Sequence, residues 1–199
     1  MRLSRLVAKI PPDFGHVSPN VHYWLFGPLL VAQLGYIGYA HQTSMLCQLG
    51  LSSAGIFFWT LMEYMLHRFS FHSKSEHYLM KPFNSGLHLI HHDQPSNKKY
   101  VTAPVILALP VYLITMGVFY LFLGNAINTL SFGSGILEGF LVYEYVHYIS
   151  HLTNPRFFIF KYLKKQHMLH HFKDEQSKFG VTSPLWDWFF NTYNYSDKE

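Results

Sequence analysis

Histidine is the residue whose number and spacing first point to chemistry. The chain has fourteen, against eleven acidic residues. Ten are clustered: His67 and His72; His88, His91 and His92; His147 and His151; and His167, His170 and His171. On a helix, residues at i, i+3 and i+4 share one face, so the last three groups each present imidazoles toward a common point. Neutral imidazole binds zinc, copper, iron or nickel, and one ion rarely takes more than about five or six ligands, so ten rings imply two metal ions. One or two histidines would be more simply explained as polar residues at a membrane headgroup level. Ten at ligand spacing are not. The other four, His16, His22, His41 and His77, are expected to be solvated or structural.

Carboxylates stand near the clusters. Glu63 precedes His67 by four residues and Glu144 precedes His147 by three, so each is placed to accept the ring N–H of a metal-bound histidine and fix its tautomer. Asp187, within an aromatic tail running from Val181 to Phe190, is a third candidate for that role. Glu138 lies roughly 13 Å of helix before His147 and is expected to serve packing. The single cysteine, Cys47, rules out a disulfide framework and a cysteine-based zinc site.

Something must bring these groups together. Of 199 residues, 49% are hydrophobic, 18% aromatic and only 13% charged, against roughly 25% charged in soluble domains. Four segments have close to the roughly 20 apolar residues that cross a bilayer: residues 21–40, 49–66, 103–123 and 127–149. Short connections, Thr43 to Gln48 and Gly124 to Ala126, make them two antiparallel hairpins. All fifteen Lys and Arg residues fall before, between or after the hairpins, and none in the two short loops. The positive-inside rule therefore assigns that face to the cytoplasm. The same parity carries every histidine cluster to it.

The expected architecture is all-α, a single membrane-embedded domain over residues 1–199, with a cytoplasmic helical cap holding the histidines. Within it, Arg156 to Lys165 alternates aromatic and basic residues like an interfacial helix. Gly27 to Gly35 and Gly135 to Gly139 offer small-residue packing faces. Arg2, Arg5 and Lys9 faintly resemble a signal peptide, but Pro11 and Pro12 interrupt it, and the segment is read as retained in the cytosol. A net charge of +4 beside apolar runs points to anionic headgroups or an acidic partner protein, not to nucleic acid. The sequon Asn194-Tyr195-Ser196 lies on the cytoplasmic side, which argues against its use.

Taken with their flanking residues, these clusters resemble the fatty acid hydroxylase superfamily, and within it the fatty acid 2-hydroxylases. The resemblance runs from about Glu63 to Thr192 and rests on three stretches. The first is Glu63-Tyr64 leading into His67-Arg68-Phe69 and Phe71-His72. The second is Tyr143-Glu144-Tyr145-Val146-His147-Tyr148 with His151. The third is Leu163-Lys164 through His167, His170-His171-Phe172 and Phe179-Gly180-Val181 to Trp186-Asp187. Leu89, Glu144 and Asn97 depart from the family's usual glycine, aspartate and acidic residue, and leave the exact acyl substrate open. The resemblance implies that the ten clustered histidines hold two Fe2+ ions that use molecular oxygen to hydroxylate an acyl lipid. Many relatives carry a fused cytochrome b5 domain and this chain has no room for one, so a separate donor of the cytochrome b5 or ferredoxin type is expected.

An aliphatic C–H bond has no acidic proton and no leaving group, so its oxidation needs an oxygen-activating metal. Zinc has no redox chemistry, though it is expected to occupy the site in purified protein because it outcompetes Fe2+ for nitrogen ligands. Close rivals are a sterol desaturase or methyl oxidase and a carotenoid hydroxylase, which product analysis separates. A zinc-dependent membrane hydrolase would need bridging carboxylates, for which Asp93 is the one candidate within the clusters. A metal transporter would line a pore near the midplane with its histidines. The membrane is the endoplasmic reticulum for a eukaryotic source and the inner membrane for a bacterial one.

Overall fold

Capping groups begin and end the helices where the polar breaks in the sequence fall. In a computed structural model the described residues are 18, 20–40, 42–73 and 88–194, and every regular element among them is helical. Helix α1 spans Asn20–Ala40. Ser44 then caps α2, Met45–Met65, its Oγ accepting the Cys47 N–H at 3.2 Å. Cys47, expected in a loop, is thus an exposed residue in the first turn of a helix. After the short α3, Ile90–Asp93, helix α4 runs over Val105–Leu123 and stops at Gly124, whose φ of 62° lies in the left-handed region glycine adopts without strain. Asn125 at once caps α5, Ala126–Leu152, accepting the Asn128 N–H at 3.0 Å. The expected tight link between the last two long helices is this pair of opposed caps. Helices α6, Phe158–Phe172, and α7, Leu185–Phe189, follow. His16, His41, His77, the first seventeen residues and Tyr195-Ser196 of the sequon lie outside the described residues.

Two helical stretches, Met45–Phe71 and Val105–Leu123, are long and apolar enough to cross a membrane. Helix α5 is less apolar because it is the central helix, packed against α1, α2, α4 and α6. Thr129, Ser131 and Ser134 are buried on it and bond carbonyls of their own helix. Its closest neighbour is α2. A Cβ on Gly135 would stand 1.9 Å from Ser52 O, one on Gly55 would stand 2.0 Å from Phe132 O, and one on Gly139 would meet the Trp59 ring at 2.6 Å. The Gly135 to Gly139 face is therefore used for packing, whereas Gly27 and Gly35 have nothing within 4 Å. On the outer surface, Trp24, Val31 and Tyr39 of α1 and Leu121 and Phe122 of α4 are well exposed, more apolar surface than a water-soluble monomer tolerates.

Candidate metal centre

His67 and His72 are five residues apart, which on an α-helix puts them about 140° from each other. The chain resolves this by leaving α2 as a π-helix over Leu66–Phe71, closed by the bond from His72 N to His67 O at 3.1 Å. A ladder of i→i+5 bonds stacks the two rings on one side. The other rings come from α3 and the residue two positions before it, from the end of α5 and from the last turns of α6.

The ten rings form two sets of five, one of His67, His72, His88, His92 and His170, the other of His91, His147, His151, His167 and His171. Within each set one ligand nitrogen per ring lies within 4.8 Å of all the others. The expectation that a cluster aims at one point holds for His147 with His151, and the structure corrects it for the two clusters of three. Residues four apart stay together, as His88 with His92 and His167 with His171, while neighbours on the helix turn to different sets, as His91 against His92 and His170 against His171. The His92 and His171 rings stack at 3.9 Å between centroids and join the two sets.

Hydrogen bonding among the rings does not account for this geometry. His88 Nε2 lies 3.0 Å from His67 Nε2, 2.9 Å from His72 Nε2 and 3.0 Å from His92 Nε2. An imidazole nitrogen carries one proton or one lone pair and cannot satisfy three like atoms. Nitrogens bound to one ion at about 2.1 Å and roughly at right angles would be separated by about 3.0 Å. The second set repeats the spacing, with His91 Nε2 at 3.1 Å from both His171 and His147, and His151 to His167 at 2.7 Å. The donor set fits a metal ion in each half, and among the described residues neither half includes a carboxylate. Asp93 is exposed and belongs to neither.

Burial keeps the rings in the form that binds metal. It drives His72 down to about 2, His92 to about 3 and His170 to about 4, and it holds His88, His91, His167 and His171 well below the ordinary value, with neighbouring rings adding to most of these shifts. All are neutral at pH 7, with lone pairs available. Two backbone carbonyls fix tautomers: His67 Nδ1 donates to Phe179 O at 2.5 Å and His170 Nδ1 to Ser177 O at 2.7 Å, which leaves Nε2 of each as the donor atom toward its set.

The three carboxylates bond backbone N–H groups and, for Glu63 and Asp187, threonine hydroxyls rather than the rings, which corrects the expectation for all three. Glu63 accepts from Val181 N, Thr182 N and Thr182 Oγ1 at 2.8–2.9 Å. Glu144 accepts from Ala103 N at 3.1 Å. Asp187 accepts from Phe179 N, Gly180 N and Thr192 Oγ1 at 2.7–2.8 Å. These N–H groups belong to irregular segments with no ladder to join, and a buried N–H without an acceptor is costly, so the carboxylates go to them. Asp187 still reaches the site through one peptide, because the Phe179 it grips bears the carbonyl that orients His67. Gly180 has to be glycine here, since a Cβ would lie 2.1 Å from Ser183 O.

Sequence reasoning did not find the wall that faces the histidines. His22, fully buried, donates from Nε2 to Ala103 O at 2.6 Å, so it and Glu144 together pin the segment entering α4. No local pattern marks His22, because its partner is 81 residues away. Residues of that segment line an apolar cavity that reaches His88, His91 and His147 at one end and runs between α2, α4 and α5 past Leu107, Trp59 and Phe140.

Comparison with known proteins gives this geometry a family. The family model for fatty acid hydroxylase matches residues 52–192. A dihydroceramide fatty acyl 2-hydroxylase of Arabidopsis thaliana is 36% identical over 150 residues, 73% of this chain and 61% of the relative. Fatty acid 2-hydroxylase of Homo sapiens is 36% identical over 150 residues, 72% of this chain and 39% of the relative. The ceramide very long chain fatty acid hydroxylase of Saccharomyces cerevisiae is 37% identical over 150 residues, with 72% and 38% covered. This chain therefore spans between about two fifths and three fifths of the length of these relatives. A solved structure of full-length scs7p, with only the hydroxylase domain visible, superposes with a TM-score of 0.83 at 30% identity, over 92% of this chain and 69% of that one. Because the family match runs from before His67 to beyond His171 and so includes all ten histidines of the two sets, the chain belongs to the fatty acid hydroxylase family.

Proposed function

We propose that this protein hydroxylates carbon 2 of a fatty acyl chain, free or within a ceramide-type lipid, with two iron ions, molecular oxygen and electrons from a donor of the cytochrome b5 or ferredoxin type. The observation that carries the reading is an apolar cavity ending on both five-histidine sets, through His88 of one and His91 and His147 of the other. His67, His72, His88, His92 and His170 hold one ion, and His91, His147, His151, His167 and His171 the other. Iron bound there supplies the oxygen-activating redox chemistry that an unactivated C–H bond requires. The chain's own residues bind and aim the substrate. Trp59, Leu107 and Phe140 take the methylenes out of water, and the pinned segment from Tyr100 to Pro104 closes the wall beside the rings. Relatives act, by their names, on dihydroceramide fatty acyl and ceramide very long chain fatty acid substrates, which supports an acyl lipid over a sterol or carotenoid. All-histidine sets with no carboxylate among the described residues weigh against a zinc hydrolase.

In this reading α1, α2, α4 and α5 cross the bilayer as two hairpins, and the histidines lie at the cytoplasmic headgroup level. The exposed apolar side chains of α1 and α4 then face lipid. Exposed Phe157, Phe158 and Ile159 beside Arg156 and Lys161 lay the start of α6 on the membrane surface. Carbons nearest an acyl carbonyl lie at that depth, which favours position 2.

Topology is testable with the chain's own thiol. Cys47 is exposed at the end of α2 away from His67, about 30 Å of helix distant. A membrane-impermeant maleimide should label it in sealed vesicles only from the non-cytoplasmic side. Labelling from the cytoplasmic side alone would overturn the four-helix arrangement. Lipid extracts of cells expressing the chain should contain acyl products heavier by one oxygen atom.

A further inference from the structure

The cavity has a built floor. Tyr112 of α4 and Ile136 of α5 are its lining residues farthest along those helices from the histidines. Roughly 16 Å of helix rise separates Ile136 from His147, about the extended length of a palmitoyl tail. Tyr112 is 6% exposed, and its hydroxyl accepts from Gln33 Nε2 of α1 at 2.6 Å. That bond satisfies a hydroxyl held deep among apolar groups, and it fixes where the ring lies. Beneath it there is no gap. A Cβ on Gly133 would be 2.9 Å from Tyr112 Oη and 2.3 Å from Met116 Sδ, and one turn further the Phe119 and Phe132 rings stack at 4.2 Å. One turn nearer the histidines, on the same face of α4, the cavity wall is only Ala108.

We infer that Tyr112, locked by Gln33, is the stop that sets the longest acyl chain this enzyme accepts, and that Ala108 keeps the space above the stop open. This rests on the acyl-chain reading of the cavity given above. Each methylene buried is worth roughly fourfold in affinity until the chain end meets the tyrosine ring. A longer chain must fold back or leave the cavity, and gains nothing further. Removing the ring deepens the cavity toward Met116 and Gly133. A large side chain at position 108 raises the floor by one turn, roughly 6 Å.

The full chain is expressed as wild type, Tyr112→Ala and Ala108→Leu in cells fed equal amounts of laurate, palmitate and lignocerate, and the 2-hydroxy acids are quantified. The ratio of lignoceroyl to palmitoyl product should rise several-fold in Tyr112→Ala, and the ratio of palmitoyl to lauroyl product should fall several-fold in Ala108→Leu. If Tyr112→Ala does not fold, the Ala108→Leu profile decides. Unchanged ratios in the folded variants overturn the inference. A wild type that makes no 2-hydroxy acid would instead defeat the reaction assignment. The floor is then read from thermal stabilisation of the purified chain in nanodiscs by the same three acids. Their rank order should move in the directions given, and an unmoved order overturns the inference.

Discussion

Alanine at His170 should take one metal ion from the protein, and alanine at His91 should take the other, with product formation lost in both. The two residues belong to different five-nitrogen sets, so the losses are separable in place and equal in kind. Losing a partner that merely orients a ligand weakens a metal site by roughly 10- to 100-fold, and losing the ligand itself should cost more. Elemental analysis should fall from about two ions per chain to about one in each variant. Protein purified without added iron should carry zinc and be inactive, and activity should return with ferrous iron under reducing conditions. Undiminished metal content in both variants would refute the assignment of the sets. Turnover with zinc alone and without oxygen would support hydrolysis.

Leucine at Gly135 should prevent folding. Its first side-chain atom would fall 1.9 Å from the Ser52 carbonyl oxygen, a backbone atom of the facing helix, so no rotamer change relieves the clash and α2 has to move away from α5. The π-helix that continues α2 carries His67 and α5 carries His147 and His151, so the two histidine sets would separate with them. Overpacking a core costs about 1–3 kcal/mol, and a backbone clash lies at or above the top of that range. Alanine at Gly117, with nothing within 4 Å, should be tolerated. Size-exclusion profiles and thermal unfolding in detergent distinguish the two. A folded, metal-loaded Gly135→Leu protein would show that the close approach of α2 and α5 is not required.

The site was more readable from the sequence than the way it is held. Histidine is rarely clustered without reason, and helical spacing shows which rings share a face, so the ten residues that form the two sets can be picked out directly. Their division between the sets could not be, because it depends on how four separate helical segments are rotated against one another. The π-helical turn at Leu66–Phe71 leaves a single trace, a spacing of five where three or four is usual. Glu63, Glu144 and Asp187 were recognisable as carboxylates near the clusters, but their acceptor roles toward Val181, Ala103 and Phe179 depend on loop paths that no periodicity encodes. Long apolar segments give the helices to within a few residues. Residues 127–149 read as a fourth apolar segment, but the helix they form, Ala126–Leu152, is not one of the two stretches apolar enough to cross a membrane, and its lower apolarity reflects its central position among the other helices.

The source of the oxygen atom decides the matter. Cells expressing the chain and grown under isotopically labelled molecular oxygen should accumulate a 2-hydroxy fatty acid that carries the label in its new hydroxyl group, and alanine at His147 or His171 should abolish it. A double bond, a sterol product or a mid-chain alcohol would leave the metal sets standing and end the 2-hydroxylase assignment. A hydroxyl oxygen drawn from water would exclude the oxygenase chemistry itself.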